Sequence, residues 1–184
     1  ITPVYNTPPE ILDACIQSVL DQYYGDWQLC LYDDHSSNEA TLSRLKYWEN
    51  VDSRIVVKYG TQNMHISAAS NKAIEMAEGE FVALLDHDDE LAPEALFRVA
   101  EVLNDQPEID FFYSDEDKID RLGNRCDPHF KPDFTPDFML STNYICHLAV
   151  IRKSLGDRVG WLRQGFEGSQ DYDFFLRLYE QNPH

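Results

Sequence analysis

The chain has 184 residues, with 33 Asp and Glu against 15 Lys and Arg, giving a formal charge of -18 at pH 7. That length supports one domain with a sizeable core, and 43% hydrophobic residues with ten Tyr, ten Phe and three Trp exclude a disordered acidic tail. The acid excess speaks against a nucleic-acid or anionic-membrane binder, which needs Lys and Arg, and makes a divalent cation the partner to look for.

Ile1 leads straight into Pro3, as in a first strand whose opening residues lie outside this chain. Thr7-Pro8-Pro9-Glu10 reads as a capping box. Ile11/Leu12, Cys15/Ile16 and Val19/Leu20 recur behind it at helical spacing. Residues 27–32 form a short buried strand ending at Asp33-Asp34. A second capping box, Ser36-Ser37-Asn38-Glu39, precedes a helix marked by Leu42, Leu45 and Trp48. Residues 54–59 are a strand, and a helix from about Ser67 carries Ala69, Ala73, Ile74 and Ala77, with Gly79 at its C-cap. Residues 81–85 are continuously apolar, as in a central parallel strand, and end in Asp86-His87-Asp88-Asp89. Pro93 opens another helix, and residues 109–113 form the next strand.

Residues 114–142 break the rhythm: polar and Pro-punctuated, they are too long for an idle loop and read as an active-site excursion with a hairpin turn at Gly123-Asn124. Strand character resumes over 146–151, and a last helix begins near Ser169. The alternation makes an α/β domain over 1–184, a mostly parallel, Rossmann-like central sheet flanked by helices. No apolar run approaches 18 residues and no signal-peptide pattern opens the chain. Cys15, Cys30, Cys126 and Cys146 show no metal spacing, so the expected setting is a reduced cytoplasm.

Ligands of open α/β sheets bind beyond the carboxyl ends of the strands. Two acidic clusters stand there, Asp33-Asp34 and 86–89. One Asp at a strand end is ordinary turn chemistry; three among four residues repel one another unless a cation relieves them. Asp86 and Asp88 are the candidate ligands of Mn²⁺ or Mg²⁺, leaving coordination positions for substrate phosphates. His87 reads as structural or supporting. GxGxxG, GxxxxGK[ST], an EF-hand loop and a serine elbow are all missing.

The chain resembles an inverting glycosyltransferase of family 2, with the GT-A nucleotide-sugar fold. The resemblance is carried in order by Pro3-Val4-Tyr5-Asn6, Tyr32-Asp33-Asp34-His35-Ser36, Asn63 with Ser67 to Glu80, and the Asp-any-Asp motif Asp86-His87-Asp88. Ser114-Asp115-Glu116-Asp117-Lys118, His129-Phe130-Lys131-Pro132 and Gly168-Ser169-Gln170-Asp171-Tyr172-Asp173 resemble the subgroup that builds bacterial surface polysaccharides.

The resemblance implies a nucleotide-sugar donor, usually UDP-linked, and a glycan or lipid-linked acceptor. Asp34 would accept a hydrogen bond from the base, and Pro3 and Tyr5 would line its pocket. Asp33 would orient base or ribose, or serve the turn. Asp86 would touch the ribose or a metal-bound water, and Asp88 would ligate the metal. Asp171 would be the general base, with Asp173 as its rival. His35 departs from the family's usual Gly. The implied enzyme extends past this chain's end, toward the inner face of the membrane. Arg125, His129 and Lys131 are basic groups able to approach a diphosphate, Lys118 a partner to hold the excursion, and Trp161 and Phe166 either an acceptor platform or core. Two other classes stay open: a nucleotidyltransferase, although residues 2–10 lack its Gly-rich basic loop, and an inactive nucleotide-sugar-binding module.

Overall fold

The computed structural model describes residues 1–181. Parallel strands β1 (Thr2–Val4), β2 (Leu29–Asp33) and β3 (Ile55–Tyr59) pair in the order β1-β2-β3. β4 (Phe81–Leu84), β5 (Phe111–Tyr113) and β8 (Ala149–Arg152) form a second ladder, β4-β8-β5, with β8 antiparallel to both neighbours. Ile1 joins the two: its N donates to Ala83 O and its O accepts from Leu85 N, the parallel bonding pattern. The central sheet is therefore mostly parallel, as expected, with β8 as its one antiparallel member.

The helices are α1 (Pro9–Leu20), α2 (Glu39–Trp48), α3 (His65–Ile74), α4 (Ala95–Asp105), α5 (Pro136–Met139), α6 (Lys153–Val159) and α7 (Gln170–Glu180). β6 (Glu116–Ile119) and β7 (Arg125–His129) form the hairpin within the excursion. Gly123 takes φ 82 in its turn, a conformation open to glycine. One apolar cluster packs α1 and α2 on β1–β3 around Leu12, Ile16, Leu31 and Leu45. Another packs α5, α6 and α7 on β8 around Met139, Ile151, Phe174 and Phe175. A third seats α3 against β2 through Tyr32, Ala69 and Ala73. α1 and α2 cover one face of β1–β3 and α3 the other, while a cavity of about 850 Å³ lies between α4 and the β4-β8-β5 ladder.

Both capping boxes are corrected. Pro8 occupies the N-cap of α1, so Thr7 stands one residue too early, and its buried Oγ1 finds no partner among the described residues. Ser36 Oγ is taken by Asn6 N at 2.8 Å, and Asn38 caps α2 instead, accepting from Ala40 N at 2.9 Å. α3 starts at His65 and ends at Ile74, so Gly79 lies beyond its C-cap, Glu75. The renewed strand is shorter than expected, because residues 146–148 are loop.

Candidate functional site

The ends of β1, β2 and β4 open into a cavity of about 480 Å³, lined among others by Pro3, Tyr5, Asp34, Asn63, Asp86 and Asp88. Asn6 fixes the loop that follows Tyr5. In a left-handed conformation (φ 50), it accepts from Ser37 N and Asn38 N, both at 2.9 Å, clamping the first strand's loop to the second's. His35, where the resemblance expects Gly, takes φ 64, the region glycine favours. The turn geometry survives the substitution.

Asp33 and Asp34 have different tasks. Asp33 is buried with both carboxylate oxygens on Ser36 N, at 3.1 and 3.3 Å, and it does not line the cavity. Asp34 does line it. Its Oδ1 accepts from Met64 N at 2.8 Å, and Asn63 Nδ2 donates to its carbonyl at 3.3 Å. Burial pushes its carboxyl above the ordinary range, partly offset by the Met64 amide. Tyr5 is half-exposed at the rim, its ring available for stacking.

The acidic cluster at the end of β4 is arranged differently from the sequence expectation, which paired Asp86 with Asp88. A tight turn, with Asp89 N on Asp86 O at 3.2 Å, folds Asp89 back toward Asp86. Ligand atoms of Asp86, Asp89 and His147 then lie within 4.8 Å of one another. His147 Nε2 is 3.8 Å from Asp86 Oδ2, and His147 Nδ1 is 4.0 Å from Asp89 Oδ2. Asp88 stands at the turn's apex with a side chain 62% exposed, 3.9 Å from His87 Nδ1. Burial raises the carboxyl of Asp86, countered by His147 and reinforced by Asp88. Asp89 is raised likewise. Two crowded carboxylates and an imidazole, too far apart to hydrogen-bond, fit a divalent cation. Asp89 and His147 are not among the candidate ligands read from the sequence, because no spacing ties a loop after the excursion to the end of β4.

Asp171 lies in the first turn of α7 and, with Asp86, Cys146 and His147, lines a small cavity of about 40 Å³. Its Oδ2 accepts from Asn143 Nδ2 at 3.0 Å and from Cys146 Sγ at 2.7 Å. Asp173 turns away from that place. Arg163 and Arg177 both bond it, and Arg163 foremost holds its carboxyl below the usual range.

The excursion's basic groups are spent locally. Arg125 pairs with Asp117 at 2.7 Å, and His129 Nδ1 lies 3.2 Å from Glu116. Lys131 Nζ, with its side chain 1% exposed, donates to the carbonyls of Ile145 (3.2 Å) and His147 (2.8 Å) and pairs with Glu116 at 3.4 Å. Among the described residues Lys118 pairs only with the exposed Asp127, at 3.7 Å, so Lys131 holds the excursion and Lys118 does not. Trp161 packs on Phe174 at 5.3 Å as core, whereas Phe166 is exposed under Arg163.

A family model described as "Glycosyl transferase family 2" matches residues 1–160. An uncharacterized protein, y4gI, of Sinorhizobium fredii is 46% identical over 98% of this chain and 20% of its own length. The O-antigen biosynthesis protein RfbC of Myxococcus xanthus is 38% identical over 98% of this chain and 14% of its own length. The chain thus spans a fifth or less of these relatives. Among solved structures, S. aureus TarS in complex with UDP-GlcNAc superposes with a TM-score of 0.74 at 19% identity, over 97% of this chain and 52% of that one. The mannosyltransferase PcManGT from Pyrobaculum calidifontis, in complex with GDP-Man and Mn²⁺, gives 0.74 at 17% identity over 100% and 52%. At these identities the structures show the shared GT-A fold.

Proposed function

The chain belongs to glycosyl transferase family 2, and we propose that it transfers a sugar, with inversion, from a UDP-linked donor to a hydroxyl of a glycan or lipid-linked acceptor in polysaccharide biosynthesis. The observation that carries this reading is the convergence at the strand ends of a base-sized cavity holding Asp34, an acidic cluster holding Asp86, and the carboxylate of Asp171. The uridine preference rests on the resemblance of the first two strand ends and on the UDP-GlcNAc complex of TarS; RfbC's name supports the polysaccharide setting.

In this reading Pro3 and Tyr5 flank the base and Asp34 accepts its N–H, while Asp33 shapes the turn behind them. Asp86, Asp89 and His147 would hold Mn²⁺ or Mg²⁺, with Asp88 beside them at the rim. The bound cation stabilises charge developing on the diphosphate leaving group. Asp171 takes the acceptor hydroxyl's proton as that oxygen bonds the anomeric carbon; the carbon–phosphate-oxygen bond breaks and its electron pair leaves with the diphosphate. The two arginines on Asp173 support Asp171 as the base. The bifurcated hydrogen bond that Ser36 N donates to both Asp33 oxygens supports its service to the turn.

Calorimetry of UDP with saturating Mn²⁺ or with EDTA tests the donor side. Asp34→Ala should weaken UDP by about 1.5–3 kcal/mol, the worth of a hydrogen bond to a charged acceptor, while keeping the Mn²⁺ requirement. Asp89→Asn and Asp88→Asn, measured side by side, decide which carboxylate serves the cation. UDP binding indifferent to Mn²⁺ in the wild type would remove the metal from the reading. An unchanged dissociation constant in Asp34→Ala would return that residue to turn chemistry.

A further inference from the structure

A base needs one oxygen presented to the acceptor and the other held still. Asp171 has this asymmetry. Both hydrogen bonds it receives from the described residues fall on Oδ2, from Asn143 Nδ2 at 3.0 Å and Cys146 Sγ at 2.7 Å, and none falls on Oδ1. The two donors also touch each other, with Asn143 Nδ2 at 3.5 Å from Cys146 Sγ, so the three side chains close a triangle. The amide cannot be reversed without cost, since its carbonyl would then face a carboxylate. Thiol chemistry points the same way: a neutral S–H is a donor to an anion, whereas a carboxylate gives it no proton to accept.

We infer that Asn143 and Cys146 are positioning residues that pin Oδ2 of Asp171 and leave Oδ1 to receive the acceptor's proton. The inference rests on the reading of Asp171 as the general base. Asn143 and Cys146 flank residues that the fold holds. Tyr144 and Ile145, between them in the chain, are buried in the core around α7. Lys131 Nζ holds the carbonyls on either side of Cys146, and Glu116 Oε2 accepts from His147 N at 2.5 Å. A donor pair carried by such a locked segment restrains the carboxylate's rotation, and a shift of about 1 Å at a reacting group is enough to cost rate.

Two measurements on the 184-residue chain test it. The first is infrared difference spectroscopy of the S–H stretch, wild type minus Cys146→Ser, which isolates this thiol from the other three. The band should lie at the low frequency of a strongly hydrogen-bonded thiol and move to the free-thiol position when the same difference is taken in Asp171→Ala. A free-thiol band in wild type overturns the contact and the proposal with it. The second is release of UDP from UDP-GlcNAc with water as acceptor. Cys146→Ala and Asn143→Ala should each lower kcat by about 10–100-fold, the range of one hydrogen bond to a charged group, with KM unchanged. Cys146→Ser, which restores a donor, should recover most of the loss. Wild-type kcat in both alanine variants while Asp171→Asn is inactive overturns positioning and spares the base. Full activity in Asp171→Asn removes the base reading, a failure separate from the spectrum, which reads the contact without turnover.

Discussion

Asp171 and Asp173 stand two residues apart at the start of one helix, and their neighbours divide their labour. Asp173 is gripped by two guanidinium groups, whereas Asp171 has a neutral amide and a neutral thiol. A carboxylate between two arginines is a poor proton acceptor, because they stabilise its charged form. Asp171→Asn should therefore cut turnover by about 10²–10⁴, the usual worth of a positioned general base, and leave UDP affinity within about threefold, since a base contributes chiefly at the transition state. Asp173→Asn should instead lower stability at pH 7 by about 2 kcal/mol, the scale of hydrogen bonds to a charged group. The pH dependence gives the sign. The folded carboxyl of Asp173 lies below its ordinary value of 3.8, so its stabilisation is present above that value and is lost as pH falls through the folded one. The gap between urea titrations of wild type and Asp173→Asn should accordingly begin to close below about pH 4 and vanish only below the folded value. A gap that persists undiminished there would detach Asp173 from the arginines.

At the scale of elements, the excursion bears on the candidate site through the loop before β8. It reaches back to the loop before β8 through Glu116, which accepts from His147 N, and through the buried ammonium of Lys131, which takes two carbonyls and the Glu116 carboxylate. That loop carries Cys146 toward Asp171 and His147 toward Asp86 and Asp89. Lys131→Met keeps the apolar stem but leaves both carbonyls without their donor, while Glu116 keeps His147 N and His129, and should destabilise the chain by about 1–3 kcal/mol. The same variant should lose Mn²⁺-dependent UDP binding under conditions where circular dichroism still reports folded protein. Retained metal dependence in folded Lys131→Met would disconnect the excursion from the cluster. The division between what the sequence disclosed and what it hid follows the same line. Strands and helices of the βα units announce themselves by apolar period, and the strand-end acids by their crowding in one short stretch. The excursion was recognisable by length and polarity, and its turn by Gly123-Asn124. Lys131 gave no such signal, since its burial depends on carbonyls contributed by a later loop. His147 was hidden for the same reason, and Asp89 because a tight turn, not alternation, decides which carboxylate meets Asp86. Capping residues misled by one or two positions because Asn6 and Pro8 had already taken the local hydrogen-bonding roles.

For the molecule as a whole, a formal charge of -18 poses a problem that screening and site binding solve differently. Self-repulsion weakens the compact state, and any salt relieves part of it over a Debye length of about 8–10 Å at ordinary ionic strength. The crowded carboxylates of Asp86 and Asp89 are a local version of the problem, their carboxyls pushed up by burial. A cation seated among them adds a term that scales with its own concentration over its dissociation constant, about 2.7 kcal/mol at a hundredfold excess. For a chain of this size that corresponds to a rise in Tm of roughly 5–10 °C. Thermal unfolding should thus show a large rise with Mn²⁺ and a much smaller one with NaCl at equal ionic strength. Asp86→Asn separates the two effects. Removing one of the crowded charges should leave Tm in EDTA unchanged or higher, keep the NaCl response, and abolish the excess due to Mn²⁺. Equal shifts from Mn²⁺ and NaCl in the wild type would reduce the acidic cluster to one part of a screened surface. An Mn²⁺ excess that survives in Asp86→Asn would move the cation to carboxylates elsewhere on the chain.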